Sequence, residues 1–388
     1  MIVIAAAIAV LVLLWGSAAG CGSAEEPPPF PTTTPELSTF TVDDWELAVL
    51  MDTGGPATPL RIDADRVAWR RNALAGYPAS IFLYDLASGT ITTLLEGVDT
   101  QSIDLRGNLL VYSTAGAREN WMDVWLLDLS TRRTKRVRMS PSWALDPQLN
   151  GDFVVWRETR YFEKTERLMS YNLASEETQI LADITEGSGA IGEYWVSDRW
   201  VVFNWRAVRL GSEEAPRRLP AGAKVQCLDG DQLYYVFDAN EAHEVSELHR
   251  LDLASGNDEL IASGSEYQSV RADGDRLAWA TWEEGRAAVV FLDRASGREI
   301  HIPAPDSFVG GLRLEGNILL WERVPAPPQP TTDLPHLFVY DIARDATTDL
   351  SLLYHYEQSW STDGEAVVFP ERRVPNGPVR IIVAQPGH

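Results

Sequence analysis

The side chains best suited to hold a ligand lie in irregular segments between apolar stretches of the sequence. Aromatic rings can stack on peptide groups or sugar rings, and amides both donate and accept hydrogen bonds. The candidates for a ligand site are Gln101, Trp143, Tyr194, Tyr267, Gln268, Phe308, His355, Tyr356 and Gln358. In the alternative interpretation, the rings plug a cavity and the amides bond only to their neighbours and to water.

The sequence lacks the motifs that usually carry catalysis. Its 6 histidines form no His-Glu-x-x-His pair, and neither a Gly-x-Ser-x-Gly elbow nor a glycine-rich phosphate loop occurs. Cys227 lies in an apolar strand, where a thiol behaves as a small hydrophobic group. We therefore expect no catalytic residue, no metal site and no cofactor. A pair of carboxylates facing each other across a cavity stays open as an alternative catalytic centre.

A repeat positions the candidate residues. One turn, Asp-Gly-Asp or a close variant, recurs eight times between Asp63 and Glu365, and the fourth residue past the turn is always aromatic. The aromatic residues are Trp69, Tyr112, Trp156, Phe203, Tyr235, Trp279, Trp321 and Phe369. Aromatic side chains at one fixed position are suited to fill the gaps between packed sheets. The turns lack the bidentate glutamate of a calcium loop, so we expect them to be structural.

Each repeat predicts four short strands. A second turn, Tyr84-Asp85-Leu86-Ala87-Ser88-Gly89 in the first repeat, recurs in later ones, and no segment has a helical period. Repeats of four strands indicate an all-β fold, an eight-bladed β-propeller of four-stranded antiparallel blades. Seven blades are the alternative if the short fourth repeat merges with a neighbour. The N-terminal strand Trp45–Leu50 would complete the last blade and remove an exposed sheet edge.

On these motifs the sequence resembles the TolB-like family of β-propellers, which is related to the N-terminal propeller of dipeptidyl peptidase IV. The resemblance rests on the Asp-Gly-Asp turn, the aromatic residue that follows it and the Tyr-Asp-Leu-Ala-Ser-Gly turn. It covers residues 41–388. It implies the architecture and leaves the activity open, because one fold serves many functions.

The N-terminal segment predicts export. Ile2–Trp15 is an uncharged apolar run, shorter than a comfortable membrane span but suited to a signal peptide. The small residues before Cys21 resemble a bacterial lipobox, in which a peptidase cuts before a cysteine that then carries lipid. Ala18 stands where leucine is commoner, and no basic residue precedes the run, so a secretory signal or an uncleaved anchor is the alternative. We expect a signal peptide at 1–20 and, at 21–40, a lipidated Cys21 with a Pro/Thr-rich tether.

Charge and layout together limit the function. The 388 residues include 56 acidic and 33 basic side chains, and a net charge of −23 argues against binding nucleic acid. A lipid, a tether and a folded body indicate a monomeric lipoprotein on the periplasmic or outer side of a bacterial membrane, in contact with that membrane only through its lipid. We expect its loop-rich funnel to bind an envelope protein or peptide without catalysis. The alternatives are a funnel-sited lyase or hydrolase acting on a polysaccharide or small molecule, and a sensory or scaffolding module of a larger complex.

Overall fold

The structure is entirely β in the part of the chain that it describes. The computed structural model describes residues 30–35, 37–52, 57–73, 78–115, 121–138, 142–160, 165–185, 191–238, 245–264, 267–283, 286–304, 307–325, 335–351, 360–372 and 379–387. These ranges contain no helix, so none of their segments is a helix that could cross a membrane. The predicted signal peptide and Cys21 lie outside the described residues.

The strands repeat in groups of four after three N-terminal ones. The first strands are β1 (Thr32–Thr33), β2 (Ser38–Val42) and β3 (Trp45–Asp52). The next sixteen are β4 (Ala57–Asp63), β5 (Arg66–Arg71), β6 (Ser80–Asp85), β7 (Thr90–Glu96), β8 (Thr100–Arg106), β9 (Leu109–Ala115), β10 (Met122–Asp128), β11 (Arg133–Arg138), β12 (Trp143–Asn150), β13 (Phe153–Arg160), β14 (Thr165–Asn172), β15 (Thr178–Thr185), β16 (Tyr194–Val196), β17 (Trp200–Phe203), β18 (Arg206–Arg209) and β19 (Arg217–Arg218). The remainder are β20 (Lys224–Asp229), β21 (Gln232–Asp238), β22 (Ser246–Asp252), β23 (Asp258–Gly264), β24 (Tyr267–Asp273), β25 (Arg276–Glu283), β26 (Arg286–Asp293), β27 (Arg298–Ala304), β28 (Ser307–Glu315), β29 (Ile318–Pro325), β30 (His336–Asp341), β31 (Ala346–Asp349), β32 (Ser361–Thr362), β33 (Val367–Arg372) and β34 (Val379–Pro386).

These strands pair into antiparallel units, which we number in chain order. Unit 1 is β4 to β7 with β1 added at its edge, and units 2 and 3 are β8 to β11 and β12 to β15, joined by one parallel bridge between Met122 and Trp143. Units 4 to 7 are four-stranded sheets that begin at β16, β20, β24 and β28. Unit 8 has the order β2, β3, β34, β33, β32. We call the first strand of each unit, or β32 in unit 8, its inner strand, because inner strands contact those of neighbouring units.

The repeated turns connect successive units as well as strands. The carboxylate of Asp273 accepts the N–H of Gly316 in the next unit at 2.8 Å, and Asp229 accepts that of Gly274 at the same distance. Asp63 accepts the N–H of Gly107 in the same way. A main-chain N–H bonded to a carboxylate forms a charge-assisted hydrogen bond, which is stronger than one between neutral groups. The turn carboxylates therefore act as links between units.

The repeated aromatic residues are buried between the units. All eight are at most 5% exposed, and Trp69 and Trp156 are fully enclosed. The buried apolar side chains of the described residues form eight clusters, and each cluster takes residues from two units. One of them joins unit 8 to unit 1, with Val368 and Val383 packed in the same cluster as Leu60 and Trp69. The core thus lies between the sheets, as the spacing of the aromatic residues predicts.

The N-terminal strands correct one predicted boundary. Ser38–Val42 pairs with β3, and Thr32–Thr33 pairs with β7, although residues 21–40 were expected to form a tether. Threonine favours strands, and an edge strand needs few buried side chains because its backbone supplies the pairing. The folded part therefore begins before residue 41.

The N-terminal and C-terminal strands pair with each other. Strand β3 runs antiparallel to β34, from Trp45 opposite Pro386 to Asp52 opposite Arg380.

Candidate functional site

The inner strands are irregular at one common level. In six units the ladder between the first and second strands shifts register, a feature typical of a β-bulge. The bulges lie between Ala57 and Leu60, Thr100 and Ser102, Leu145 and Gln148, Val225 and Cys227, Gln268 and Arg271, and Val309 and Leu312. Bulges re-aim the side chains beside them. Gln101 and Gln268, two predicted site residues, lie at this level.

Three arginines follow the bulges and meet near one another. We call Arg61, Asp104, Arg271, Arg313 and Glu315 the central cluster. Arg313 interacts electrostatically with Arg61, Arg271, Asp104 and Glu315. Arg61 comes from unit 1, Arg271 from unit 6 and Arg313 from unit 7, so the inner strands of three units contribute charges that act on one another.

Only one of the three arginines in the central cluster is paired with a carboxylate, so the cluster keeps a net positive charge. Arg61 Nε donates to Asp104 Oδ1 at 2.9 Å, and Asp104 Oδ2 accepts the N–H of Leu149 at 2.8 Å, so both of its oxygens have a donor. Arg271 donates to the carbonyl oxygens of Val270 and Gln226, at 2.8 and 3.3 Å. Among the described residues, neither Arg271 nor Arg313 has a carboxylate within ion-pair distance.

Burial and like charges shift the ionisation of this cluster. Loss of water around the guanidinium, followed by repulsion from Arg61 and Arg271, lowers the pKa of Arg313 to about 10, while Glu315 opposes the shift. The pKa of Glu315 is raised to about 7 by partial desolvation of its carboxyl group and by repulsion from Asp363, Asp273 and Asp63. The Glu315 side chain remains exposed. Near neutral pH, Arg313 is therefore charged, and Glu315 is present in both its protonated and its ionised form.

Tyr194 lies beside the central cluster. Its hydroxyl donates to the carbonyl oxygen of Asp146, a residue in the bulge of β12 with a φ of +51°. Desolvation, followed by repulsion from the Asp146 carboxylate, raises the pKa of the Tyr194 hydroxyl above its usual range, and Asp104 adds to that repulsion. The phenol therefore stays protonated and acts as a hydrogen-bond donor.

Two of the predicted site residues share a pocket. Gln268 and Phe308 line a cavity of about 140 Å³ together with Thr281 and Trp282. The rings of Trp282 and Phe308 stack with their centroids 5.1 Å apart, and Phe308 is 47% exposed. This pocket lies between units 6 and 7.

The other predicted site residues are dispersed. Trp143 and Gln101 are exposed on their strands, whereas Tyr267 is buried, with its ring edge-on to Trp279 at 6.2 Å between the centroids. Tyr267 is thus part of the core and is not a surface ring. His355, Tyr356 and Gln358 lie outside the described residues, as does Cys21. Cys227 is buried, and desolvation raises the pKa of its thiol to about 12, so it packs as a small apolar group.

The candidate site residues from sequence do not include the arginines of the central cluster. Their signal is positional: Arg61, Asp104, Arg271 and Arg313 all stand three residues before the centre of the repeated turn. Aligning the repeats on that turn brings charged residues to one level of the inner strands. In the described ranges, no group of three or more His, Cys, Asp or Glu side chains is arranged to hold a metal ion.

Comparisons with known proteins identify the fold. No family profile and no curated protein matches the sequence. The β-propeller domain of the Trilobed protease from Pyrococcus furiosus matches 85% of this chain and 94% of its own, with a TM-score of 0.52 and 12% identity. Oligogalacturonate lyase from Vibrio parahaemolyticus matches 92% of this chain and 98% of its own (TM-score 0.52, 11% identity), and a prolyl endopeptidase matches 83% and 55% (TM-score 0.55, 12% identity). The chain therefore has the β-propeller fold.

Proposed function

We propose that the eight units are eight blades of a closed ring. Each unit shares an apolar cluster with the next, and unit 8 shares one with unit 1. The inner strands contact one another in the same order, including β32 with β4. The pairing of β3 with β34 supports a ring in which the N-terminal strand completes the last blade.

The proposed function is to bind a protein or peptide partner through a carboxylate held by the central cluster. The observation that carries this proposal is that Arg61 and Arg271, on the inner strands of units 1 and 6, repel Arg313 electrostatically, while only Arg61 is paired with a carboxylate. Three guanidinium groups at close range repel one another, and an incoming anion relieves that repulsion. Arginine presents a planar fork that matches both oxygens of a carboxylate.

The proposed location is the bacterial cell envelope. The apolar run and the small residues before Cys21 support an exported lipoprotein whose propeller faces away from the membrane. In this arrangement the chain is a monomer and the lipid on Cys21 holds it at the membrane. Incorporation of radiolabelled palmitate in a bacterial host, and its loss in Cys21→Ala, tests the anchor.

A peptide library tests the binding proposal. Peptides of identical sequence, ending in a free carboxylate or in a carboxamide, are displayed and probed with the full chain in detergent. We expect retention of the carboxylate series, and about tenfold weaker binding for Arg271→Gln or Arg313→Gln, since each removes a charge-assisted bond. Arg133→Gln, on the exposed surface of β11, is the matched control and should bind as wild type. Equal retention of amidated peptides, or unchanged binding by both variants, would overturn the proposal.

One observation favours an enzyme as the second candidate. Glu315 is exposed, has a pKa near 7 and interacts electrostatically with Arg313, so it could transfer a proton while arginines hold an acidic substrate. Two of the similar structures are oligogalacturonate lyases, which makes an acidic oligosaccharide the first substrate to test. Appearance of unsaturated or reducing ends, lost in Glu315→Gln, would replace the binding function with a lyase or hydrolase. Absence of turnover, together with carboxylate binding, would favour the binding function.

A further inference from the structure

Unit 4 leaves a cleft because its strands are short. β17 and β18 have 4 residues each, against 7 or 8 in the corresponding strands β21, β22, β25 and β26. The hairpin that joins β17 to β18 therefore ends early, below the reach of its neighbours. A cleft of about 780 Å³ opens there, lined by unit 4, by the outer strand of unit 3 at Asp183 and by the link into unit 5 at Gly222. This volume is within the range of small-ligand sites.

The turn of this hairpin carries a tryptophan where neither backbone nor burial favours one. Asn204 and Trp205 have φ values of +39° and +62°. Two-residue hairpin turns with positive φ at both positions prefer Asn-Gly, because a side chain at the second position is strained. The Trp205 side chain is also 65% exposed, so it contributes little to the core. An outlier with an uncovered aromatic ring is the kind of feature that points to a binding surface.

Two arginines stand beside this ring. Arg206 on β18 lies directly opposite Arg218 on β19, and both line the cleft. Like charges at opposed positions of a sheet destabilise it. Both side chains are exposed, and among the described residues neither has a carboxylate partner. The one carboxylate of the lining, that of Asp183, is already bonded by Arg167 at 2.7 Å.

The geometry points to a second binding site, separate from the central cluster, for an acidic saccharide that carries a uronate group. The apolar face of a sugar ring would cover the indole of Trp205, and its carboxylate would lie between Arg206 and Arg218. A guanidinium pair in a chain of net charge −23 selects an anion by charge complementarity. The exposed indole selects a ligand with a flat apolar face, which an acidic peptide side chain does not offer.

Calorimetric titration of the full chain in detergent tests this site. The probe is trigalacturonate, with galactotriose as its neutral counterpart and a short polyglutamate as an acidic peptide. We expect trigalacturonate to bind more tightly than either, and added salt to weaken the binding. The double variant Arg206→Gln/Arg218→Gln should lose about tenfold or more in affinity.

Trp205→Gly separates binding from folding. Glycine relieves the strain at a φ of +62°, so the variant should unfold at the same or a higher denaturant concentration while its affinity for trigalacturonate falls about tenfold. Because the central cluster is itself proposed to bind carboxylates, every titration is made in Arg271→Gln as well as in wild type. Binding of trigalacturonate that persists in Arg271→Gln and is lost when Arg206→Gln/Arg218→Gln is added belongs to the cleft, so failure of one site is distinguishable from failure of the other. Equal affinity for galactotriose, tighter binding of polyglutamate, no binding, or full affinity in Trp205→Gly would each overturn the assignment.

Discussion

The inner strands carry two rows of side chains that differ in how well the repeat is kept. The turn row stands one residue before the turn centre and is polar in every unit: Asp63, Arg106, Asn150, Ser197, Asp229, Asp273, Glu315 and Asp363. The central row stands three residues before it and changes chemistry from unit to unit: Arg61, Asp104, Gln148, Trp195, Cys227, Arg271, Arg313 and Ser361. In units 1, 2, 3, 5 and 6 the side chain of the turn row makes a hydrogen bond to the next unit. The proposed ligand at the centre would need each group only once.

This difference teaches how to find a site in a repeated fold. Positions that stay polar across the units serve contacts between units, as Asp229 and Asp273 do. Positions that depart from the repeat are released from that role and are available for binding. By the same reasoning, the short unit 4 departs in length, and the cleft at Trp205 occurs there.

The largest effect is expected at the repeated aromatic positions. Trp156 is fully buried between units 2 and 3, and Trp156→Ala should lower the free energy of unfolding by about 3–5 kcal/mol. Trp143 is not one of the eight repeated aromatic residues and is 42% exposed, so Trp143→Ala should change the free energy of unfolding by about 0.5 kcal/mol or less. Denaturant unfolding followed by circular dichroism measures both. Similar losses in the two variants would break the link between repetition and structural role.

A pH experiment tests a buried carboxyl group that occurs in only one unit of the repeat. Glu322 follows the repeated Trp321, is 4% exposed and accepts a hydrogen bond from the N–H of Gly311; burial raises its pKa to about 7. Because the folded pKa lies above the unfolded one, its favourable contribution is complete below about pH 4.5 and is lost as the pH rises through 7. Glu322→Gln should therefore match wild type near pH 4.5 and be more stable above pH 7, by roughly 1–3 kcal/mol.

The control for this pH experiment is Glu46→Gln, an exposed position on β3. It should follow the wild-type stability curve from pH 4.5 to pH 8, since the general repulsion of an acidic chain acts on both proteins alike. If the stability of Glu322→Gln depends on pH in the same way as that of Glu46→Gln, burying the Glu322 carboxylate has no energetic cost and the prediction is wrong.

Much of the fold is encoded locally, and the central cluster is not. The interval from the turn to Trp69 or Trp156 lies within one hairpin, so the sequence alone predicts a buried ring there. The meeting of Arg61 with Arg271 and Arg313 depends on how distant units are placed. Tyr267 shows the same limit, because its burial depends on Trp279 in the next strand and on the neighbouring unit. The strand at Ser38–Val42 was missed since its composition is that of a linker and its pairing is supplied by the backbone.

A direct test of the two rows compares Asp273→Ala with Arg271→Gln. The first leaves the N–H of Gly316 without its carboxylate and should cost about 1–2 kcal/mol of stability, with little change in peptide binding. The second relieves repulsion in the central cluster, so stability should be unchanged or slightly higher while carboxylate binding falls. Unfolding curves and peptide retention are measured on both variants. A loss of stability in Arg271→Gln larger than that in Asp273→Ala would assign the central row a structural role.

The smallest effect tests the turn itself, through two residues that share one conformation. Gly107 and Ala64 both have a φ of +53°, at the same position of the turn in units 2 and 1. A side chain at this φ is strained, and a Cβ added at Gly107 would meet no other atom within 4 Å, so the effect of substitution is purely conformational. Gly107→Ala should lose about 1 kcal/mol, and Ala64→Gly should gain about 0.5 kcal/mol, in denaturant unfolding. Stability changes of opposite sign and similar size would show that the positive φ alone favours glycine at the centre of the turn. Changes of the same sign would mean that the surroundings of the two turns differ.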